Sequence, residues 1–152
     1  MNRLHQALTL LQQEARPTEL AGMARFGINP AQRLGLSMPA MRRIAKTLGH
    51  DHALALALWD TGIADARIVA GMVAKPAKLG SRQMDAWAKG FDSWDLCDQV
   101  CDSAFLASPL AWNKVTASAT RPSTRRRLKR RGASNDKAPN QPAGLPPTRC
   151  VS

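Results

Sequence analysis

Apolar residues recur every three or four positions along the first 115 residues, which is the spacing of amphipathic α-helices. No stretch in this part of the chain combines strict alternation with β-branched residues, as an exposed strand would. The pattern therefore predicts a succession of short helices. Among the apolar positions that mark them are Leu4, Leu8 and Leu11, then Met41, Ile44 and Leu48, then Ile68, Val69 and Met72, and then Leu96, Val100 and Ala104.

Capping residues set the expected ends of several of these helices. Ser37 is the expected N-cap of a helix that ends at Gly49, and Asp92 or Ser93 caps a later one. The segment 53–59 alternates Ala and Leu and so imitates a strand, but both residues are strong helix formers. We therefore predict an all-α chain.

Short helices joined by short turns fit either a bundle or a solenoid of helical hairpins. Helix-turn-helix units recurring at roughly 30–40 residues favour the solenoid. No run approaches the ~20 apolar residues of a membrane-spanning helix, and residues 1–20 lack the regions of a signal peptide. Three cysteines make an odd count without framework spacing. We expect a cytoplasmic protein with reduced thiols and no membrane partner.

Charge divides the chain into two parts. The chain has 22 Lys+Arg and 11 Asp+Glu, a net charge of +11, of which +8 lies in residues 116–152 and +3 in residues 1–115. Residues 116–152 are rich in Pro and Arg and too poor in apolar residues to offset their ordering entropy. We predict one domain over 1–115 and a disordered basic tail over 116–152. The basic run 125–131 suits either non-specific nucleic-acid binding or a shifted reading frame, and we favour the latter.

The most informative residues surround Trp94. On a helix, Asp98 lies about 40° from Trp94, at the edge of the apolar stripe. Asp92 and Asp95 are explained by a helix N-terminus, and Asp102 by solvation, so a purely structural acidic face is the default interpretation. Asp98 has no such explanation. A carboxylate beside an aromatic ring is a good receptor for a cation.

A metal site is the weaker alternative for the same helix. Cys97 and Cys101, four residues apart, could share a metal with Asp98 and Asp102, but no histidine is near them in sequence. Small apolar cysteines in a helical core are the ordinary explanation. We predict no metal and no cofactor.

Several segments, taken in order, resemble those of the HEAT-like-repeat DNA alkylation repair proteins, the AlkD-type alkylpurine DNA glycosylases. The resemblance covers about residues 4–115. It is carried by Leu34-Gly35-Leu36-Ser37-Met38-Pro39 with Arg42, by Ala57-Leu58-Trp59 followed by Asp65-Ala66-Arg67, by Asp85-Ala86-Trp87, and by Phe91-Asp92-Ser93-Trp94-Asp95 with Asp98.

This resemblance implies a HEAT-like solenoid that holds duplex DNA containing alkylated purines. The implied reaction is that of a DNA-3-methyladenine and 7-alkylguanine glycosylase, a hydrolase acting on cationic N3- or N7-alkylpurines. Trp94 matches a family aromatic that lines the lesion, and Asp98 matches the catalytic carboxylate. The cationic base is already a good leaving group, so the enzyme needs only a carboxylate to stabilise oxocarbenium charge and position water.

Basic residues cluster on the helix that follows Ser37, where Arg42, Arg43 and Lys46 are candidates for phosphate contacts. Surface helices also carry such residues without binding DNA, and the pattern does not separate the two interpretations. If the protein binds DNA, a nucleoid-associated location follows.

The resemblance ends at about residue 115. Family members are longer, and their C-terminal half supplies an arginine and a second tryptophan of the cleft. We therefore expect a truncated chain, which leaves open an active enzyme or one inactivated by that loss. The alternative function is a non-catalytic helical-repeat module that binds DNA or protein.

Overall fold

The described part of the chain consists of helices and the turns between them. The computed structural model describes residues 2–120, except for the side chains of residues 115 and 117–120. This confirms the prediction of an all-α fold, while the solenoid arrangement stays a prediction. The eight α-helices of residues 2–120 are α1 (Arg3–Gln13), α2 (Leu20–Arg25), α3 (Met38–Leu48), α4 (His52–Asp60), α5 (Ala64–Val73), α6 (Ser81–Lys89), α7 (Trp94–Val100) and α8 (Ala111–Thr120).

Helix caps follow the sequence closely at α3 and less closely at α7. The Ser37 hydroxyl accepts the Ala40 N–H at 3.4 Å, and α3 ends at Gly49, whose φ is +68°. Ser93 does occupy the N-cap of α7, but its side chain makes no capping hydrogen bond. Its hydroxyl instead accepts a hydrogen bond from Arg33 and donates one to Asp92.

Helix α5 is the centre of the packing, because α1, α3, α4 and α7 all contact it. At Gly71 the approach of α7 is so close that a Cβ would lie 2.9 Å from the Ser103 hydroxyl and 3.4 Å from the Val100 Cα. Only glycine leaves room for this contact. The apolar residues of α5 that this packing buries are Ala64, Ala66, Ile68, Val69, Ala70 and Val73.

The loop between α2 and α3 (residues 26–37, the α2–α3 loop) is anchored on α5. The Leu34 N–H donates to Asp65 Oδ2 at 2.6 Å, and the Ala64 N–H donates to the Gln32 carbonyl at 3.0 Å. Asp65 is fully buried, and its other oxygen, Oδ1, has no hydrogen-bond partner among the described residues. These hydrogen bonds hold the irregular connection in place on α5.

The C-terminal helix crosses the expected domain boundary. Helix α8 continues to Thr120, so residue 115 lies inside it. The rest of the expected tail, 121–152, lies outside the described residues, and the two-part organisation stays a prediction. In the described range, every helix is too short or too polar to cross a membrane.

Replacing Asp65 by alanine is expected to destabilise the domain, because the partly buried Leu34 N–H loses its acceptor. Leaving such a group unsatisfied costs about 1–3 kcal/mol of unfolding free energy. Urea denaturation followed by circular dichroism measures this loss. Asp60→Ala, at the exposed end of α4, is the matched control and should change the unfolding free energy by less than about 0.5 kcal/mol. Equal effects of the two substitutions would contradict the anchoring role of Asp65.

Candidate functional site

Trp94 and Asp98 lie together on the exposed side of α7. Trp94 is the first residue of the helix and is 56% exposed, and Asp98 follows one turn later and is also exposed. Residues four apart on a helix are surface neighbours. Asp98 makes no hydrogen bond or ion pair within residues 2–120. The carboxylate is therefore free to interact with a ligand beside the indole.

The indole of Trp94 is fixed by the end of α2. Its Nε1–H donates to the carbonyl of Phe26 at 3.0 Å. The polar group of the indole is thus satisfied inside the protein, while most of the ring stays accessible. The Phe26 side chain is itself 74% exposed, so the two residues joined by this hydrogen bond are both accessible aromatic residues.

Sequence reasoning did not single out Phe26, because the residue belongs to no apolar periodicity. It directly precedes Gly27, at the beginning of the α2–α3 loop. The signal that could have identified Phe26 is that it is a bulky aromatic residue outside the apolar face of any predicted helix.

The acidic residue next to Trp94 is neutralised by a buried arginine. Asp95 Oδ1 lies 2.8 Å from Arg33 Nη2, and the Arg33 side chain is only 1% exposed. The helix N-terminus alone had explained Asp95 in the sequence, but the structure adds this ion pair. The same Nη2 group donates to the Ser93 hydroxyl at 2.8 Å. Ser93 in turn donates to Asp92 Oδ1 at 3.2 Å.

A second arginine fixes the connection between α6 and α7. The Arg67 guanidinium lies 5.1 Å from the centroid of the Trp59 ring and donates to the Gly90 carbonyl at 3.1 Å. The Trp59 ring stacks on Trp87 with centroids 4.4 Å apart. Cation–π attraction and stacking add to the burial of these rings. Helix α5 thus holds the segment before α7 through Arg67, just as it holds the α2–α3 loop through Asp65.

The far end of α7 departs from α-helical geometry. Residues Cys101–Phe105 form a π-helical turn, in which the Leu106 N–H donates to the Cys101 carbonyl at 2.9 Å. The expected angle between Trp94 and Asp98 assumes α-helical geometry and therefore applies, because both residues lie before this turn. The expected apolar stripe of Leu96, Val100 and Ala104 is buried, and Cys97 and Cys101 are half-buried.

The environment of Cys101 keeps its thiol protonated. Burial raises the pKa of this thiol to about 11, and the neighbouring Cys97 and Asp98 add to the rise. Metal ligation requires the thiolate form. Within residues 2–120, no three His, Cys, Asp or Glu side chains come together as a metal-holding group. The prediction of no metal site for the whole chain is left untested by this.

The three candidate DNA-binding residues are exposed on α3, which packs on α5 as α7 does. Arg43 pairs with Glu14 at 3.3 Å. Lys46 lines a cavity of about 300 Å³ together with His50. In the described part of the chain, no hydrogen bond or ion pair joins Arg42, Arg43 or Lys46 to Trp94 or Asp98. The basic residues thus lie on α3, and Trp94 and Asp98 lie on α7.

Comparison with known proteins gives a family match over most of the chain. The model of a family described as DNA alkylation repair enzyme matches residues 7–117. This range contains the α2–α3 loop and the whole of α7. A search of the curated proteins and a search of the solved structures each found no match.

Reactivity of Cys101 should follow its raised pKa. The reactive thiolate forms only as pH approaches about 11, so alkylation by iodoacetamide is expected to accelerate far above neutral pH in the folded chain. Peptide mass spectrometry after timed labelling gives the rate at this residue. The chain in denaturant serves as the control and should show the ordinary thiol midpoint. An unchanged midpoint in the folded chain would show that burial does not control this thiol.

Proposed function

Since the chain belongs to the family of DNA alkylation repair enzymes, we propose that it is an AlkD-type DNA glycosylase with a HEAT-like solenoid fold. Its role in DNA alkylation repair comes with the family. The proposed reaction is hydrolysis of the N-glycosidic bond of cationic N3- or N7-alkylpurines in duplex DNA. The observation that carries this proposal is the unpaired, exposed Asp98 one turn after Trp94 on α7.

Asp98 is the proposed catalytic carboxylate because the other acidic residues at the start of α7 are already engaged. Asp95 is paired with Arg33 at 2.8 Å, and Asp92 accepts hydrogen bonds from Ser93 and Asn29. Those carboxylates hold the protein together and have less freedom to face a ligand. The Asp98 side chain, by contrast, is exposed and makes no hydrogen bond or ion pair within residues 2–120.

Trp94 is the proposed support for the alkylated base. A cation over the face of a tryptophan ring is stabilised by about 0.5–2 kcal/mol, depending on its exposure to water. The hydrogen bond to the Phe26 carbonyl at 3.0 Å fixes the indole without covering most of the ring. A positively charged purine would therefore be held within reach of the Asp98 carboxylate.

The proposed chemistry needs few protein groups. The bond between C1′ and the purine nitrogen breaks, and the base leaves with the electron pair and becomes neutral. Positive charge then develops at C1′ and O4′ of the deoxyribose, where a carboxylate stabilises it. A water molecule oriented by Asp98 forms the new bond to C1′, and its proton passes to Asp98 or to solvent.

The phosphate backbone is the proposed ligand of the basic residues on α3. Arg42 and Lys46 are exposed and make no ion pair within residues 2–120, whereas Arg43 shares its charge with Glu14. Phosphate contacts by such side chains supply affinity and register without reading the sequence. Arg42 and Lys46 are therefore the stronger candidates of the three.

Replacing Asp98 by asparagine is expected to reduce base release from methylated duplex DNA by about 10²–10³-fold, because a neutral amide stabilises the oxocarbenium charge poorly. The substitution preserves the size of the side chain. Chromatography of the released 3-methyladenine and 7-methylguanine measures the rate. Asp102→Asn is the matched control, since Asp102 is also exposed and unpaired in the described range, and it should leave the rate within about twofold.

Equal rates for wild type and Asp98→Asn would remove Asp98 from the mechanism. A wild-type chain that binds methylated duplex DNA with a normal salt dependence but releases no base would instead be the non-catalytic binding module. Binding measured by fluorescence anisotropy at several salt concentrations separates these outcomes.

A further inference from the structure

Arg33 is an unusual arginine, because its guanidinium is almost completely removed from water. The side chain is 1% exposed, and burying a charge is costly unless it is paired and hydrogen-bonded. Its Nη2 donates to Asp95 Oδ1 and to the Ser93 hydroxyl, both at 2.8 Å, and its Nε donates to the Asn29 carbonyl at 3.0 Å. Its acceptors lie in the α2–α3 loop or at the beginning of α7.

Residues 26–33 of the α2–α3 loop are joined to the beginning of α7 at both of their ends. At one end the Phe26 carbonyl accepts the Trp94 indole N–H, and at the other end Arg33 holds Asp95 and Ser93. Between them the Asn29 amide donates to Asp92 Oδ2 at 3.4 Å. The position of the Phe26 carbonyl relative to Trp94 therefore depends on the arginine seven residues farther along the chain.

Arg33 is too buried to contact a nucleic acid itself. Arg67, the other arginine near α7, bonds to Trp59 and Gly90 instead and makes no hydrogen bond to Trp94. Any effect of Arg33 on a ligand must consequently act through the groups that it holds. Trp94 is an exposed aromatic residue that lies between Ser93 and Asp95, the two residues to which the Arg33 Nη2 donates.

We propose that Arg33 is a positioning residue that sets the orientation of the Trp94 indole by holding residues 26–33 on the first turn of α7. The effect of Arg33 on catalysis rests on the proposed function, in which Trp94 supports the cationic base against Asp98. The effect of Arg33 on the orientation of the Trp94 indole does not rest on that function. The two consequences can therefore be tested separately.

The test of the geometry is the indole N–H signal of Trp94 in ¹H–¹⁵N spectra of the full chain. Loss of this signal in Trp94→Phe identifies it among the four tryptophans. In Arg33→Gln we expect the signal to move toward the position of a free indole and its hydrogen exchange to become about tenfold faster. The signals of Trp59 and Trp87 should stay in place. Arg82→Gln, at an exposed arginine on α6, is the control and should change none of them.

Two further variants keep the test decisive if Arg33→Gln does not fold. The double variant Arg33→Gln/Asp95→Asn leaves no unpaired buried charge and should show the same change at Trp94. Arg33→Lys keeps the charge but loses the forked geometry and should restore the signal in part. An unchanged Trp94 signal in a folded Arg33→Gln or double variant overturns the proposal, as does an equal displacement of all four indole signals.

The catalytic arm uses base release from methylated duplex DNA. A misplaced indole should lower kcat by about 10-fold to 100-fold while KM changes by less than about threefold. A purely structural loss would lower the active fraction and leave kcat per folded molecule unchanged, which overturns the catalytic part. If the wild-type chain releases no base, the proposed function fails, and the indole signals still decide whether Arg33 positions Trp94.

Discussion

A hydrogen bond to a buried carboxylate ties the loop beside the candidate site to the core of this protein. The carboxylate of Asp65, on the central helix α5, accepts the Leu34 N–H at 2.6 Å from a loop that has no regular structure. Next to this anchor, Arg33 reaches the first turn of α7. Two residues after Asp65, Arg67 holds the Gly90 carbonyl, just before α7 in the chain. The first turn of α5 thus holds both segments that adjoin the beginning of α7.

The same arrangement divides the acidic residues of α7 between structure and chemistry. Arg33 neutralises Asp95, and Asp92 accepts hydrogen bonds from Ser93 and Asn29. Asp98, one turn after Trp94, has no partner among the described residues. A cationic base needs an aromatic face and an unpaired carboxylate close together, and a stable helix start needs its own carboxylates satisfied. The residues that match the family of DNA alkylation repair enzymes include the whole of α7. The catalytic assignment itself depends on the Asp98 substitution.

The sequence predicted those features that depend on local patterns. Helical periodicity and the cap at Ser37 located α3, and the helical angle between Trp94 and Asp98 placed them side by side within α7. The Arg33–Asp95 pair could not be predicted, because it joins residues 62 positions apart through an irregular loop. The π-helical turn after Val100 was also missed, since periodic spacing assumes an unbroken α-helix.

Helix α5 fixes the α2–α3 loop and thereby the beginning of α7. Native-state hydrogen exchange of the Leu34 amide tests this anchoring most directly, because this N–H is in an irregular loop and has a buried carboxylate as its acceptor. We expect the Leu34 amide to exchange as slowly as the amides of Ile68 and Val69 in α5, through global unfolding. Exchange at the rate of an exposed loop amide would show that the loop opens independently and contradict the account.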